Sequence, residues 1–260
     1  MAKTPEQVEY EKLWKRLFGR FHKACADYRL LEDGDYVMIG LSGGKDSLAL
    51  VEMLGAQQRI YKPRIRVCAV HVSVSNIGYQ SDRQYLSDFC QKHGVEYIPV
   101  ETSFEDRTSP APVGEGVPEG RKRGFCFLCS WYRRKALFDL AQERGCNKIA
   151  LGHHMDDIVE TALMNMVFHG SISTITPSLK LDKMPITMIR PLCLLQESEL
   201  KRFAELRGYV KQQKLCPYEH DSHRADAKRL VSQLEQLNPN VRESIWHALH
   251  TVREQYLPKL

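Results

Sequence analysis

Apolar positions recur along this chain in two rhythms, one helical and one of short strands. Tyr10, Leu13, Trp14, Leu17, Phe18 and Phe21 share a face at helical spacing, while Lys12, Arg16, Arg20 and Lys23 share another. That pattern predicts a long N-terminal helix with its aromatic side packed on the domain. Residues 36–41 form an apolar run of strand formers behind Asp33-Gly34-Asp35, and Leu48, Ala49, Leu50, Val51, Met53 and Leu54 after it read as a buried helix. Residues 65–72 predict a second strand, 81–94 a helix and 95–100 a third strand. A helix over 130–144 turns Ala136, Leu137, Leu140 and Ala141 inward; 148–151 is a fourth strand, a helix follows to Phe168, and 186–192 is a fifth strand. The tail carries one stripe of Leu230, Val231, Leu234 and Leu237 and, after Asn238-Pro239-Asn240, a second of Val241, Ile245, Leu249 and Val252. Such stripes are scaffold rather than site.

Strands alternating with helices through short links predict an α/β protein with a doubly wound parallel sheet, flanked by N- and C-terminal helices. The expected division is an N-terminal helix over 1–30, the α/β domain over 31–215 and a helical extension over 216–260. Ligands of such sheets lie beyond the carboxyl ends of the strands. The segment 106–124, with Pro110, Pro112, Pro118, Gly114, Gly116 and Gly120, is the least regular and long enough for a mobile lid.

Composition narrows the class. A 43% hydrophobic and 27% charged chain of 260 residues is expected to be globular, and no apolar stretch approaches the roughly 20 residues of a membrane span. The polar start Met1-Ala2-Lys3-Thr4-Pro5-Glu6 lacks the apolar core of a secretory signal, so a cytoplasmic protein is expected. A net charge of +5 permits a nucleic-acid partner, and the basic face of the first helix is either solvated or meets RNA phosphates. Eight cysteines are too sparse for a disulfide scaffold, and in a reducing compartment a close pair points to metal or redox chemistry.

The densest chemistry lies at Leu41-Ser42-Gly43-Gly44-Lys45-Asp46-Ser47, between the first strand and its helix. Glycines there let the backbone approach an anion, the helix start offers free N–H groups, and Ser42, Ser47 and Lys45 add donors and charge. The spacing excludes the G-x-x-x-x-G-K-[ST] phosphate loop. Ser42-Gly43-Gly44-Lys45-Asp46-Ser47 resembles instead the SGGxDS signature of the PP-loop ATP pyrophosphatases, which adenylate a substrate and release pyrophosphate. That resemblance implies an adenine-nucleotide α-hydrolase-like fold, with adenine near Val70, His71 and Val72.

Cys126 and Cys129 form the one close cysteine pair, spaced to bind one metal or cluster at a helix start that would lower their pKa values. Other readings are a redox dithiol or an incidental pair. Two thiolates do not complete a zinc or iron–sulfur site. Cys25, Cys68, Cys90, Cys146 and Cys193 sit in apolar or helical contexts, whereas Cys216 lies in the polar run Lys214-Leu215-Cys216-Pro217-Tyr218-Glu219-His220. Cys126, Cys129 and Cys216 with His220 or His223 would make a structural zinc site. Gly152-His153-His154-Met155-Asp156-Asp157 ends the fourth strand on the ligand side. Its paired carboxylates suit magnesium on ATP phosphates, the alternative being that Asp156 caps the helix and Asp157 is solvated.

Together these motifs and Ile189-Arg190-Pro191-Leu192 stand in the order and spacing of tRNA 2-thiocytidine synthetase-like sulfur transferases, over about residues 10 to 250. The resemblance implies ATP-dependent thiolation of a tRNA base, with ATP, Mg2+ and a 4Fe-4S cluster held by three cysteines. It implies a sulfur donor (sulfide or a cysteine desulfurase), and a homodimer is compatible with it. Cys216 becomes the third cluster ligand by elimination, because Glu219 stands where relatives often have a further cysteine; Glu219 is then a candidate to approach the open iron. Nucleotide-binding roles fall to Ser42, Gly43, Gly44, Lys45, Asp46, Ser47, Gly152 and Asp156, and catalytic roles to Lys45, Asp46, Asp157 and Arg133. Arg133 would steady the departing oxygen or, with Arg134, Lys135 and Arg121-Lys122-Arg123, bind tRNA phosphate. Two other classes compete: a PP-loop ligase or amidotransferase with structural zinc, and a non-catalytic RNA-binding protein that only holds ATP.

Overall fold

The computed structural model describes residues 3–75, 81–103, 125–212 and 223–256, the side chains of residues 125–127, 223 and 254 excepted. Helix α1 (Pro5–Asp27) opens with Thr4, which accepts the Gln7 N–H while the Gln7 side chain accepts the Thr4 N–H, and with Pro5 in the first turn. Its apolar stripe buries Leu13, Leu17, Phe21 and Ala24, each large side chain contributing about 2 kcal/mol of burial.

Strands β1 (Tyr36–Gly40), β2 (Arg66–Val74), β3 (Glu96–Thr102), β4 (Lys148–Ala150), β5 (Ser178–Lys180) and β6 (Thr187–Ile189) form one sheet in the order β3-β2-β1-β4-β6-β5. All neighbours are parallel except β5, which runs antiparallel to β6 at the edge. The chain winds outward from β1 to β3 and then returns to place β4 on the other side of β1. The order reverses between β1 and β4, the position where ligands of open parallel sheets bind.

Alternation sets the two faces of the sheet. Val37, Ile39, Val67, Ala69, Ala150 and Ile189 point into the larger core, shared with α1, α2 (Lys45–Gln57), α3 (Arg83–Lys92) and α5 (Met155–His169). Met38, Cys68, Val70 and Ile149 point the other way and are covered by Leu137 and Ala141 of α4 (Phe125–Glu143). Helix α6 (Glu197–Leu206) packs on α1 and α2, while α7 (His223–Leu237) and α8 (Val241–His250) pack on α5. No helix among the described residues is long and apolar enough to cross a membrane.

Three features depart from the sequence pattern. Helix α4 is described from Phe125, so Cys126 and Cys129 lie within the helix rather than before it. Helix α6 and edge strand β5 were not foreseen: β5 has three residues, too few for a period, and exists through its ladder with β6. Pairing of the fifth foreseen strand is confined to Thr187–Ile189, because Arg190 turns out to donate to Thr176 and Pro177 carbonyls.

Candidate nucleotide and cysteine site

The turn after β1 is held open by its own hydrogen bonds. Leu41 donates to the Val70 carbonyl at 2.9 Å, which aligns the end of β1 with β2. Gly43 takes φ +80°, a left-handed conformation suited to glycine, and a Cβ there would stand 2.9 Å from Gln212 Cγ. Ser42 Oγ donates to Ser47 Oγ at 3.2 Å and accepts from the Gly44 N–H at 3.3 Å, and Ser47 Oγ donates to the Gly44 carbonyl at 2.9 Å. Gly44 is the N-cap of α2, and among the described residues no side-chain cap is made there. An uncapped helix start preceded by a glycine turn is a seat for an anion.

The loop after β4 closes against this turn. A Cβ on Gly152 would lie 3.1 Å from the Asp46 carbonyl carbon and 3.1 Å from the Ser47 nitrogen. Here the two predicted motifs meet backbone to backbone. Asp46 Oδ2 accepts from Lys45 Nζ at 3.1 Å, while Asp46 Oδ1 is buried and has no hydrogen-bond partner among the described residues. A carboxylate oxygen without a hydrogen-bond partner, on the residue next to Lys45 of the phosphate turn, fits a hard cation such as Mg2+.

Asp156 and Asp157 are otherwise engaged. Asp156 Oδ2 accepts from the Glu197 N–H at 2.7 Å, fastening the start of α6, and Oδ1 accepts from Arg242 Nε at 2.5 Å. Asp157 Oδ2 accepts from the His154 N–H at 2.9 Å, and Oδ1 pairs with Arg224 of α7. Asp156 therefore caps α6, a neighbouring helix, and Asp157 caps its own helix and is buried, not solvated. His154 stands between these groups, its Nδ1 3.6 Å from oxygens of both carboxylates and its Nε2 4.0 Å from Asp46 Oδ1. Burial holds the His154 pKa below its ordinary value despite the pull of Asp46 and Asp156. Burial, then Arg190, Arg224 and His154, press His153 down to about 4.

Val70 is the last β2 residue paired to β1, and beyond it His71 and Val72 pair with β3 alone. His71 Nδ1 donates to the Leu41 carbonyl at 2.8 Å and Nε2 accepts from Ser81 Oγ at 2.5 Å, the pattern of a neutral ring. Its pKa is lowered by burial, opposed by the Leu41 bond and reinforced by the Arg133 and Arg83 charges. Helix α4, which carries Arg133, packs on β2 and β3. Cys129, one turn earlier on the same helix, is half-buried. Two thiols at i and i+3 of one helix suit two corners of a metal or cluster site. The Cys126 and His223 side chains, and Cys216, Glu219, His220, Arg121, Lys122 and Arg123, lie outside the described residues. Among those described, no group of three His, Cys, Asp or Glu is arranged to hold a metal.

Several site residues escaped the sequence pattern. Glu197 Oε1 lies 3.4 Å from Lys45 Nζ, and its Oε2 accepts from Lys228 Nζ of α7 at 2.5 Å. Gln212 is buried, and its Oε1 accepts the Asp82 N–H at the start of α3. These contacts join residues far apart in sequence and leave no local periodicity. The basic face of α1 is partly spent, because Arg16 and Arg20 both pair with Glu199 of α6.

An uncapped, glycine-led helix at the reversal of a parallel sheet defines a nucleotide-binding α/β protein. Residues 14–223 match the model of the PP-loop domain. The chain belongs to the PP-loop family, in the group formed by its tRNA-cytidine(32) 2-sulfurtransferase relatives. Proteins of that name from Syntrophotalea carbinolica and Pseudomonas putida are each 35% identical to it over 251 residues; these spans cover 95% and 96% of this chain and 93% and 88% of theirs. Among solved structures it is similar to the U34-tRNA thiolase NcsA from Methanococcus maripaludis with its 4Fe-4S cluster. That match has a TM-score of 0.74 at 27% identity and covers 96% of this chain and 81% of that one.

Proposed function

We propose that the chain thiolates a tRNA cytidine at C2, using ATP to activate the base in the cytoplasm. The observation that carries this is convergence on one sheet: the Asp46–Ser47 peptide lies against Gly152, and the cysteine-bearing helix α4 packs on β2, the strand of Val70, His71 and Val72. The names of the relatives favour it over a ligase or amidotransferase with structural zinc.

The C2 carbonyl is a poor electrophile with a poor leaving group. Its oxygen attacks the α-phosphate of ATP, pyrophosphate departs, and the oxygen later leaves as part of AMP. The free amides at the start of α2 and Lys45 would meet the charge that develops on phosphate, joined by the Ser42 and Ser47 hydroxyls once they turn from their bonds within the loop. Asp46 Oδ1 would hold Mg2+ against the triphosphate, with the loop of Asp156 and Asp157 shaping that side. Val70, His71 and Val72 would border the adenine. Cys126, Cys129 and Cys216 would hold a 4Fe-4S cluster, which when bound would supply the sulfur for transfer. Arg133 would steady the departing oxygen, and a splayed single-stranded base is the substrate form such a pocket admits. Sulfide, or the persulfide sulfur of a cysteine desulfurase together with two electrons from a thiol reductant, would replenish the sulfur.

Anaerobically purified protein should release pyrophosphate from MgATP only with tRNA, and with sulfide should yield 2-thiocytidine by nucleoside mass spectrometry. Asp46→Asn should slow pyrophosphate release roughly 100-fold. Cys129→Ala should lose iron and labile sulfide. Zinc in place of iron, or pyrophosphate release indifferent to tRNA, would refute the proposal.

A further inference from the structure

Lys45, the cation of the phosphate turn, is engaged by two carboxylates. Asp46 belongs to its own turn, but Glu197 comes from the first turn of α6, 152 positions away in sequence. Glu197 bonds both ways: one oxygen faces Lys45 at 3.4 Å and the other accepts from Lys228 of α7 at 2.5 Å. Its backbone N–H is fixed independently by Asp156, which Arg242 of α8 holds in turn. The Glu197 side chain is thus a bridge between the nucleotide turn and α7, and its backbone position does not depend on the charge it carries.

We propose that Glu197 is a positioning residue that holds Lys45 in reserve and hands it to the triphosphate when ATP binds, tightening its own pair with Lys228 and so seating α7. This rests on Lys45 being a phosphate ligand. A carboxylate touching that lysine repels the incoming polyanion and competes for the cation, so ATP binding must break the Lys45–Glu197 contact. Once Lys45 has left, the whole negative charge of Glu197 faces Lys228. A ligand that acts differently on two arrangements shifts the balance between them, and here the second arrangement fastens α7. Desolvation raises the Glu197 pKa, but Lys228 and Lys45 outweigh it and keep the carboxyl below its ordinary value, so the bridge is ionised at neutral pH.

The test uses the full chain purified anaerobically, with MgATP and adenosine as probes in calorimetry. Glu197→Gln keeps the shape and the Asp156 bond, and it should bind MgATP about threefold tighter, the size of a partly exposed ion pair. Adenosine affinity should not change. A variant that merely loosened the fold would bind MgATP more weakly. In the natural protein MgATP should slow amide exchange in α7, and in Glu197→Gln that response should vanish. Unchanged or weaker MgATP binding by Glu197→Gln, a gain that extends to adenosine, or exchange in α7 indifferent to MgATP in the natural protein would overturn the proposal. Lys45→Met separates the two claims. If it weakens MgATP binding while Glu197→Gln does not strengthen it, Lys45 remains a phosphate ligand and only the role of Glu197 fails. If Lys45→Met binds MgATP normally, both fail.

Discussion

Gly152 lies against Asp46 with no room for a side chain: a Cβ would stand 3.1 Å from the Asp46 carbonyl carbon and 3.3 Å from its oxygen. Those atoms are backbone in the first turn of α2, where no rotamer can relieve the contact. Gly152→Ala should therefore spread the β4 loop from the phosphate turn and cost about 1–2 kcal/mol. Urea unfolding should register the stability loss, and calorimetry a weaker MgATP affinity.

Gly43 carries a different constraint. At φ +80° an alanine suffers backbone strain, and its methyl also meets Gln212 Cγ at 2.9 Å. Moving Gln212 breaks the bond that its Oε1 accepts from Asp82, at the start of α3. Gly43→Ala is expected to cost about 1–2 kcal/mol from strain alone. Gly44→Ala should cost less, because Gly44 has φ −77° and, among the described residues, a methyl there would meet only Ser42 Oγ within 4 Å, at 3.5 Å. Paired unfolding curves of the two variants check the order.

Acid should unfold the protein through the histidines of the β4 loop. His153 titrates at about 4 in the fold, against an ordinary value of 6.5. Between those values the unfolded chain takes a proton that the folded chain refuses, so stability is complete above about pH 6.5 and declines as pH falls toward 4. Between pH 7 and 4.5 the loss from this group should be about 2 kcal/mol. His153→Gln should flatten that part of the urea-unfolding profile.

Arg242 holds Asp156, whose side chain is 6% exposed, and Asp156 holds the start of α6. Arg242→Met leaves a buried carboxylate without its cation and should destabilise by about 3 kcal/mol. Adding Asp156→Asn to Arg242→Met should recover part of that loss, because the stranded charge is gone. Thermal melting of the single and double variants tests this coupling.

Much of this architecture was legible along the chain. Leu13, Leu17 and Phe21 announced α1 because a helix repeats its buried face every three or four residues. The run before Ser42 announced β1 because a strand buried on both faces is apolar throughout. Helix α6 was missed although Leu200, Phe203 and Ala204 have helical spacing and Glu199 closes a capping box on Gln196. Half of its ten residues are charged, and the packing on α1 and α2 explains where its short apolar stripe goes. Asp156 illustrates the other limit. Its place beside a glycine turn says nothing of the partners that the fold gives its oxygens, the Glu197 N–H and Arg242.

By itself the sequence determined the succession of strands and helices, the glycine turn with its lysine and aspartate, and the thiol pair that α4 carries. These follow from covalent neighbours and from periods of two and 3.6 residues, which need no knowledge of the rest of the chain. Only the tertiary structure decided which charges meet: Lys45 with Glu197, Glu197 with Lys228, Asp156 with Arg242. Ion pairs act through space over a few ångströms, and separations of 152, 31 and 86 residues leave no trace in any local pattern.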